Sequence, residues 1–104
     1  MEIEEVDSND QYKVLNVTLS AGEAMPLHYT TSEAMLIGRK GKGKITFADR
    51  QLILSQGDTL IIKANEPHKM EILEDFSSYI VLDVQARITW QAGARSASSL
   101  NIKQ

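Results

Sequence analysis

Short stretches in which apolar and polar residues alternate, separated by turn residues, run along most of this chain. Residues 12–19 carry leucine and valine at nearly every second position, and residues 68–73 place His68, Met70 and Ile72 on one face. Side chains that alternate in this way predict strands with one buried face. His68 is therefore expected to point into an apolar interior beside Met70.

Turn residues divide the rest of the chain into similar short pieces. Residues 20–23, 57–58 and 64–67 are rich in turn formers, and the glycine-rich basic run 38–44 is predicted to be a solvated hairpin turn. No sustained helical period occurs before residue 85. Regularly spaced short strands of this kind predict an all-β sandwich or closed barrel.

The organisation predicted from these patterns is one domain with two flanking segments. They are an acidic N-terminal segment (1–10), a β-barrel domain (11–87) and a polar tail (88–104). The tail is expected to be loosely ordered, or to lie on a partner with Trp90 as its anchor. Residues 33–37 are apolar on both faces after Glu33, so we expect a second subunit to cover them and the chain to form a homodimer.

Composition narrows the classes of partner. A chain of 104 residues has room for one domain but not for a separate cofactor domain. A net charge of −3 argues against nucleic acid as the main partner, and no apolar run approaches the roughly 20 residues that span a bilayer. The acidic start lacks the features of a secretion signal, which favours a cytoplasmic location. Because the chain has no cysteine, disulfides, thiolate metal sites and thiol nucleophiles are excluded.

The two histidines of the chain are the main candidates for binding chemistry, and each belongs to a motif. The first motif comprises Gly22, His28, Glu33 and Gly41, and the second comprises Gly57, Asn65 and His68. In this order, on an all-β background, the motifs resemble those of the cupin family, small barrels with a central pocket that often binds metal. The resemblance covers about residues 22–84. It implies an all-β, single-domain jelly-roll β-barrel, also called a double-stranded β-helix.

The same resemblance implies a metal site formed by His28, Glu33 and His68, with Glu33 as the catalytic acid–base group. Thr30 stands where similar proteins have a further histidine, and one imidazole is missing however the motif is aligned. Two histidines and a carboxylate suit a divalent Fe, Mn, Ni or Zn ion with open positions for water or substrate. In the competing interpretation the histidines only line the barrel, hydrogen-bonded to Glu33, Thr30 or Tyr29, and no metal is bound.

Ligand-binding residues are expected around these histidines. The candidates are Thr30, Met35, Met70 and Tyr79. Met35 is placed inward because it shares the face of Glu33, although methionine is also common as core filler. Tyr79 lies in an apolar run in which the sequence does not decide which alternate residues point inward.

Three functional hypotheses follow. The leading one is a small cupin barrel that binds a small molecule in its interior, with or without a divalent metal. One alternative is a metal-dependent enzyme of the cupin dioxygenase or isomerase type. Another is a sensor or accessory domain that holds a ligand without chemistry. Fold analogy does not select among them.

Overall fold

Eight β-strands and no helix make up residues 1–91, the part of the chain that the computed structural model describes. The strands are β1 (Glu2–Ser8), β2 (Tyr12–Leu19), β3 (Ala24–Thr30), β4 (Ala34–Phe47), β5 (Gln51–Ser55), β6 (Thr59–Ile62), β7 (His68–Asp83) and β8 (Ile88–Trp90). The prediction of an all-β jelly-roll barrel is confirmed. Over the same residues, no helix has the length and apolar character needed to cross a membrane.

The two longest strands, β4 and β7, organise the barrel because each pairs with different neighbours along its two halves. One wall contains, in order, β1, β2, the second half of β7, the first half of β4 and β6. The other wall contains, in order, β5, the second half of β4, the first half of β7, β3 and β8. The result is two walls that share the same two strands, and all strand pairs are antiparallel.

A core of apolar side chains lies between the two walls. The buried residues come from both of them and comprise Leu15, Val17, Leu19, Met25, Ala34, Leu36, Ile45, Phe47, Leu54, Ile62, Met70, Ile72, Phe76, Leu82 and Ala86. Leu15, Val17 and Leu19 occupy one face of β2, as the alternating pattern predicts. Burying one such leucine or valine stabilises the fold by about 1.5–3 kcal/mol.

The glycine-rich run 38–44 is not a hairpin turn, so that prediction was wrong. It lies inside β4, where the pairing with β7 shifts register three times as the strand passes from one wall to the other. Gly41 has a φ of 72°, and a Cβ atom there would collide with the backbone of Asp75. Glycine within a strand commonly marks such a bend at a barrel corner. The basic residues at positions 39 and 40 are exposed.

The sheet extends beyond both predicted boundaries of the barrel domain. Strand β1 lies within the predicted N-terminal segment and pairs with β2, although all its side chains are exposed. Strand β8 lies within the predicted tail and pairs with β3. Trp90 therefore belongs to the barrel wall, and the remainder of the predicted tail, residues 92–104, lies outside the described residues.

An apolar row crosses the outer surface of the wall that contains β6. Ile61, Met35, Val81 and Val14 are successive partners on β6, β4, β7 and β2. Ile61 is 59% exposed and Met35 is 37% exposed. We refer to these four residues as the outer row. Exposed apolar surface of this kind is typical of an interaction face.

Candidate functional site

The two histidines lie side by side on neighbouring strands. His28 on β3 and His68 on β7 are register partners, and their ring centroids are 4.3 Å apart. Both side chains are only 5% exposed. The structure thus brings together, on one wall of the barrel, two residues that are 40 positions apart in the sequence. The alternation of His68 with Met70 had already predicted that His68 points inward.

Both rings are fixed in the same way by the backbone. The Nδ1 atom of His28 lies 2.7 Å from the carbonyl oxygen of Pro26, and that of His68 lies 2.9 Å from the carbonyl oxygen of Glu66. A carbonyl oxygen only accepts, so each Nδ1 carries the proton and donates it. In each neutral ring Nε2 then has a free lone pair, and within residues 1–91 no hydrogen bond reaches either Nε2 atom.

Burial keeps both imidazoles neutral at physiological pH. It lowers the pKa of His28 from its ordinary value of 6.5 to about 4, outweighing the opposing effect of the hydrogen bond to Pro26, and the neighbouring His68 lowers it further. Burial also lowers the pKa of His68, against the opposing hydrogen bond to Glu66. A charged imidazole is disfavoured where water cannot solvate it. The site therefore presents two neutral nitrogen lone pairs.

A second layer of contacts holds the His68 ring in place. The Glu66 carboxylate accepts hydrogen bonds from Arg50 at 2.9 and 3.3 Å, and the Arg50 guanidinium lies 3.8 Å from the centroid of the Phe47 ring. Phe47 in turn packs against His68, with 5.5 Å between ring centroids. Arg50 thus positions both the loop whose carbonyl anchors His68 and the aromatic ring beside it.

On the other side of the pair, Trp90 covers His28. The centroids of the two rings are 4.9 Å apart, and the two residues are register partners on β8 and β3. Trp90 is 42% exposed and its ring is tilted by 44° to the imidazole, so part of the indole contacts His28 while the rest meets solvent. The indole limits the access of water to this end of the histidine pair.

A small apolar cavity lies next to the two histidines. Its volume is about 30 Å³, and its lining comprises Val17, Met25, His28, Thr30, Ala34, Leu36, Ile62, His68, Met70, Phe76, Ser78, Ile80 and Ile88. A volume of this size holds about two water molecules.

The polar groups that line this cavity can accept hydrogen bonds, but they have little capacity left to donate them. The Thr30 hydroxyl donates to the carbonyl oxygen of Ser32 at 2.8 Å, and the Ser78 hydroxyl lies 3.0 Å from the carbonyl oxygen of Ile37. The unengaged polar groups are the lone pairs of His28 and His68. A group that binds here must supply either a hydrogen or a positive charge.

Of the predicted site residues, the structure gathers His28, Thr30, His68 and Met70 at this cavity. It does not bring Glu33, Met35 or Tyr79 there. Glu33 is exposed and lines a separate surface groove with Met35, and the Tyr79 ring lies under the guanidinium of Arg39 at 4.3 Å. The inward residues of these two strand segments are the alternate ones, Ala34 and Leu36 on β4 and Ser78 and Ile80 on β7. The inward placement of Met35 was therefore wrong by one residue. Of the two alternate sets that the sequence left open in β7, the one with Ile80 lines the cavity and the one with Tyr79 does not.

The residues present do not fit the expected three-ligand site for a divalent metal. Within residues 1–91 no cluster of three or more histidine, aspartate or glutamate side chains is arranged to hold a metal ion. Glu33 lies on the outer surface of the wall, and Thr30 has its hydroxyl committed to the backbone. The two imidazoles are held as metal ligands commonly are, each donating its Nδ1 hydrogen to a carbonyl, but they have no carboxylate beside them.

Sequence reasoning missed three residues that build the site. Met25 and Phe47 contribute to it from β3 and β4, and Trp90 was assigned to the tail. The only available indication for Met25 was its closeness to His28 in the sequence. A register irregularity between these two residues sets their relative orientation, and no sequence pattern shows it.

Comparison with known proteins agrees with this architecture. The family model described as a cupin domain matches residues 15–84. A search of curated protein sequences finds no match. Among solved structures, a cupin superfamily protein from Desulfitobacterium hafniense aligns with a TM-score of 0.73 at 17% identity, covering 81% of this chain and 77% of that one.

Two further solved structures share the fold, and one of them is an enzyme. The DMSP lyase DddQ from Ruegeria pomeroyi aligns with a TM-score of 0.75 at 15% identity, covering 84% of this chain and 46% of that one. An RmlC-like cupin family protein from Methanocaldococcus jannaschii, described as a double-stranded β-helix, aligns with a TM-score of 0.70 at 21% identity, covering 79% and 78%. At these identities the likeness concerns the fold. Since the family model spans more than half of the sequence and the barrel has the expected architecture, this chain belongs to the cupin family.

Proposed function

We propose that this cupin binds a small ligand in its barrel interior through the paired Nε2 atoms of His28 and His68. The ligand, or the part of it that enters the cavity, carries a hydrogen-bond donor or a positive charge. The observation that supports this most directly is the shared tautomer of the two rings, since both Nδ1 hydrogens are donated to carbonyl oxygens. Two neutral lone pairs then remain side by side at an apolar cavity.

The size of the cavity restricts what can enter. About 30 Å³ suits an ion, water or a small terminal group of a larger molecule, because the core around it is packed. The rest of a larger ligand would lie outside the cavity. An anionic group is disfavoured because it would meet two lone pairs and no free donor, and burying an uncompensated charge is costly.

The geometry favours binding over acid–base catalysis. The enzyme hypothesis requires Glu33 next to the histidines, and Glu33 lies on the outer surface of the wall instead. A histidine with a pKa of about 4 is also a weak base at neutral pH. The proposed role is therefore that of a cupin that holds its ligand without chemistry.

Two measurements on the full chain test this proposal. Native mass spectrometry and elemental analysis of freshly purified protein would identify what co-purifies with it. Titration with Zn²⁺ as a probe cation, followed by the fluorescence of Trp90, the single tryptophan of the chain, would measure binding at the histidine pair. We expect His68→Ala to weaken Zn²⁺ binding at least about tenfold.

Glu33→Gln serves as the matched control, because it alters the third ligand of the expected metal site without touching the cavity. We expect this variant to bind Zn²⁺ as the wild type does. If Glu33→Gln weakened binding as strongly as His68→Ala, the three-residue site would be restored and the proposal would be wrong. Equal binding by wild type and His68→Ala would also contradict it.

A further inference from the structure

Two methionine side chains share the cavity with the two histidines. Met25 and Met70 are register partners on β3 and β7, as are His28 and His68. All four side chains line the cavity, and each is no more than 5% exposed. Two adjacent strands therefore contribute two histidines and two methionines to the lining of the same small cavity.

The backbone explains why these four residues face the same way. Met70 follows His68 by two positions, so a regular strand puts both on one face, about 6–7 Å apart along the strand. Met25 precedes His28 by three positions, and in a regular strand it would point to the opposite face. The register irregularity between Met25 and His28 turns both side chains inward, as a bulge does.

The chemistry of this set differs from that of a divalent-metal site. Imidazole nitrogen and thioether sulfur are neutral, and thioether is a soft, polarisable donor that selects Cu(I) over hard divalent ions. The cost of burying an ion in an apolar medium rises with the square of its charge, so a divalent ion costs about four times as much as a monovalent one. A carboxylate would offset that cost, but Glu33 is on the outer surface.

We propose that the cavity binds one Cu(I) ion through His28, His68, Met25 and Met70. This inference rests on the proposed function, in that it takes the histidine pair to be the binding site, and it identifies the ligand as a soft monovalent cation. Trp90 covers the outer side of His28 and shields such an ion from water. Because Trp90 is the only tryptophan, its fluorescence reports directly on the site.

The test is an anaerobic titration of the full chain with Cu(I) in competition with a chromophoric Cu(I) chelator. We expect one Cu(I) per chain, quenching of Trp90 fluorescence in the same proportion, and tighter binding than for Zn²⁺. Met25→Leu and Met70→Leu should each weaken Cu(I) binding at least about tenfold and leave Zn²⁺ binding unchanged. Leucine keeps nearly the same volume, so the barrel should remain folded, which thermal unfolding would verify.

Met35→Leu is the matched control, because this methionine lies in the outer row. It should bind Cu(I) as the wild type does. Wild-type affinity in both Met25→Leu and Met70→Leu, with binding lost in His68→Ala, would overturn the Cu(I) assignment while leaving the histidine pair as the ligand site. If His68→Ala also bound Cu(I) and Zn²⁺ like the wild type, both this inference and the proposed function would be overturned.

Discussion

Acidification should destabilise this barrel well before its surface carboxylates are protonated, and His28 should account for much of the effect. In the native protein burial lowers the pKa of His28 from 6.5 to about 4, whereas the unfolded chain retains the ordinary value. Between these two pH values the unfolded chain binds a proton that the native ring does not. The stabilisation is thus fully present above pH 6.5 and is lost progressively as the pH falls towards 4.

The magnitude follows from the size of that interval. At about 1.4 kcal/mol per pH unit, His28 alone accounts for about 3 kcal/mol of unfolding free energy between neutral pH and pH below 4, of which about 2 kcal/mol is lost by pH 5. His68 acts in the same direction, because burial lowers its pKa as well. A loss of this size is a large part of the net stability of a small domain.

Urea denaturation at pH 7.5, 6 and 5, followed by Trp90 fluorescence, measures the effect. His28→Gln is the control, because it removes the titrating group and keeps a polar side chain of similar length. We expect the drop in unfolding free energy between pH 7.5 and 5 to be about 2 kcal/mol smaller in the variant than in the wild type. An equal drop in the two proteins, or no drop in the wild type, would refute the reasoning.

Two further predictions concern the barrel corner and the outer row. Gly41→Ala should lower the unfolding free energy by at least about 3 kcal/mol, because the added methyl group would collide with the backbone of Asp75. Gly57→Ala, with a φ of 86° and open space around it, should cost only about 1 kcal/mol; similar urea midpoints for the two variants would contradict this. We also expect the chain to be a homodimer that buries the outer row, so Ile61→Glu should shift the mass in light scattering at micromolar concentration from dimer to monomer. Ile53→Glu, at an exposed isoleucine away from the row, should remain dimeric, and a monomeric wild type would refute the expectation.

The sequence predicted the fold and the inward position of His68 correctly where alternation and turn chemistry were unambiguous, whereas His28 was selected through the family resemblance. Strand β2 and the first half of β7 each have one apolar and one polar face, so the inward residues could be assigned. Asn65 of the second motif has a φ of 63°, a left-handed conformation that asparagine tolerates better than most residues. His68 follows this turn and points inward as predicted.

The remainder could not be assigned, because the sequence there lacks the polar–apolar contrast on which such predictions depend. Met35 and Tyr79 lie in runs that are apolar on both faces, where a shift of one residue leaves the pattern equally plausible. The outward position of Glu33 follows from that shift. The basic run 38–44 has the composition of a turn, and only the pairing of β4 with β7 on both sides of it shows that the strand continues.

The shared strands β4 and β7 also determine how anything reaches the histidines. The two walls cannot separate without breaking the hydrogen bonds of strands that belong to both, so neither wall can move aside to admit a ligand. Strand β8 is different: it has three residues, pairs with β3 alone among the described strands, and carries Trp90 against His28. Exchange of the proposed ligand should therefore be limited by the detachment of this one edge strand, and its rate should follow the local opening of β8 while the rest of the barrel stays intact.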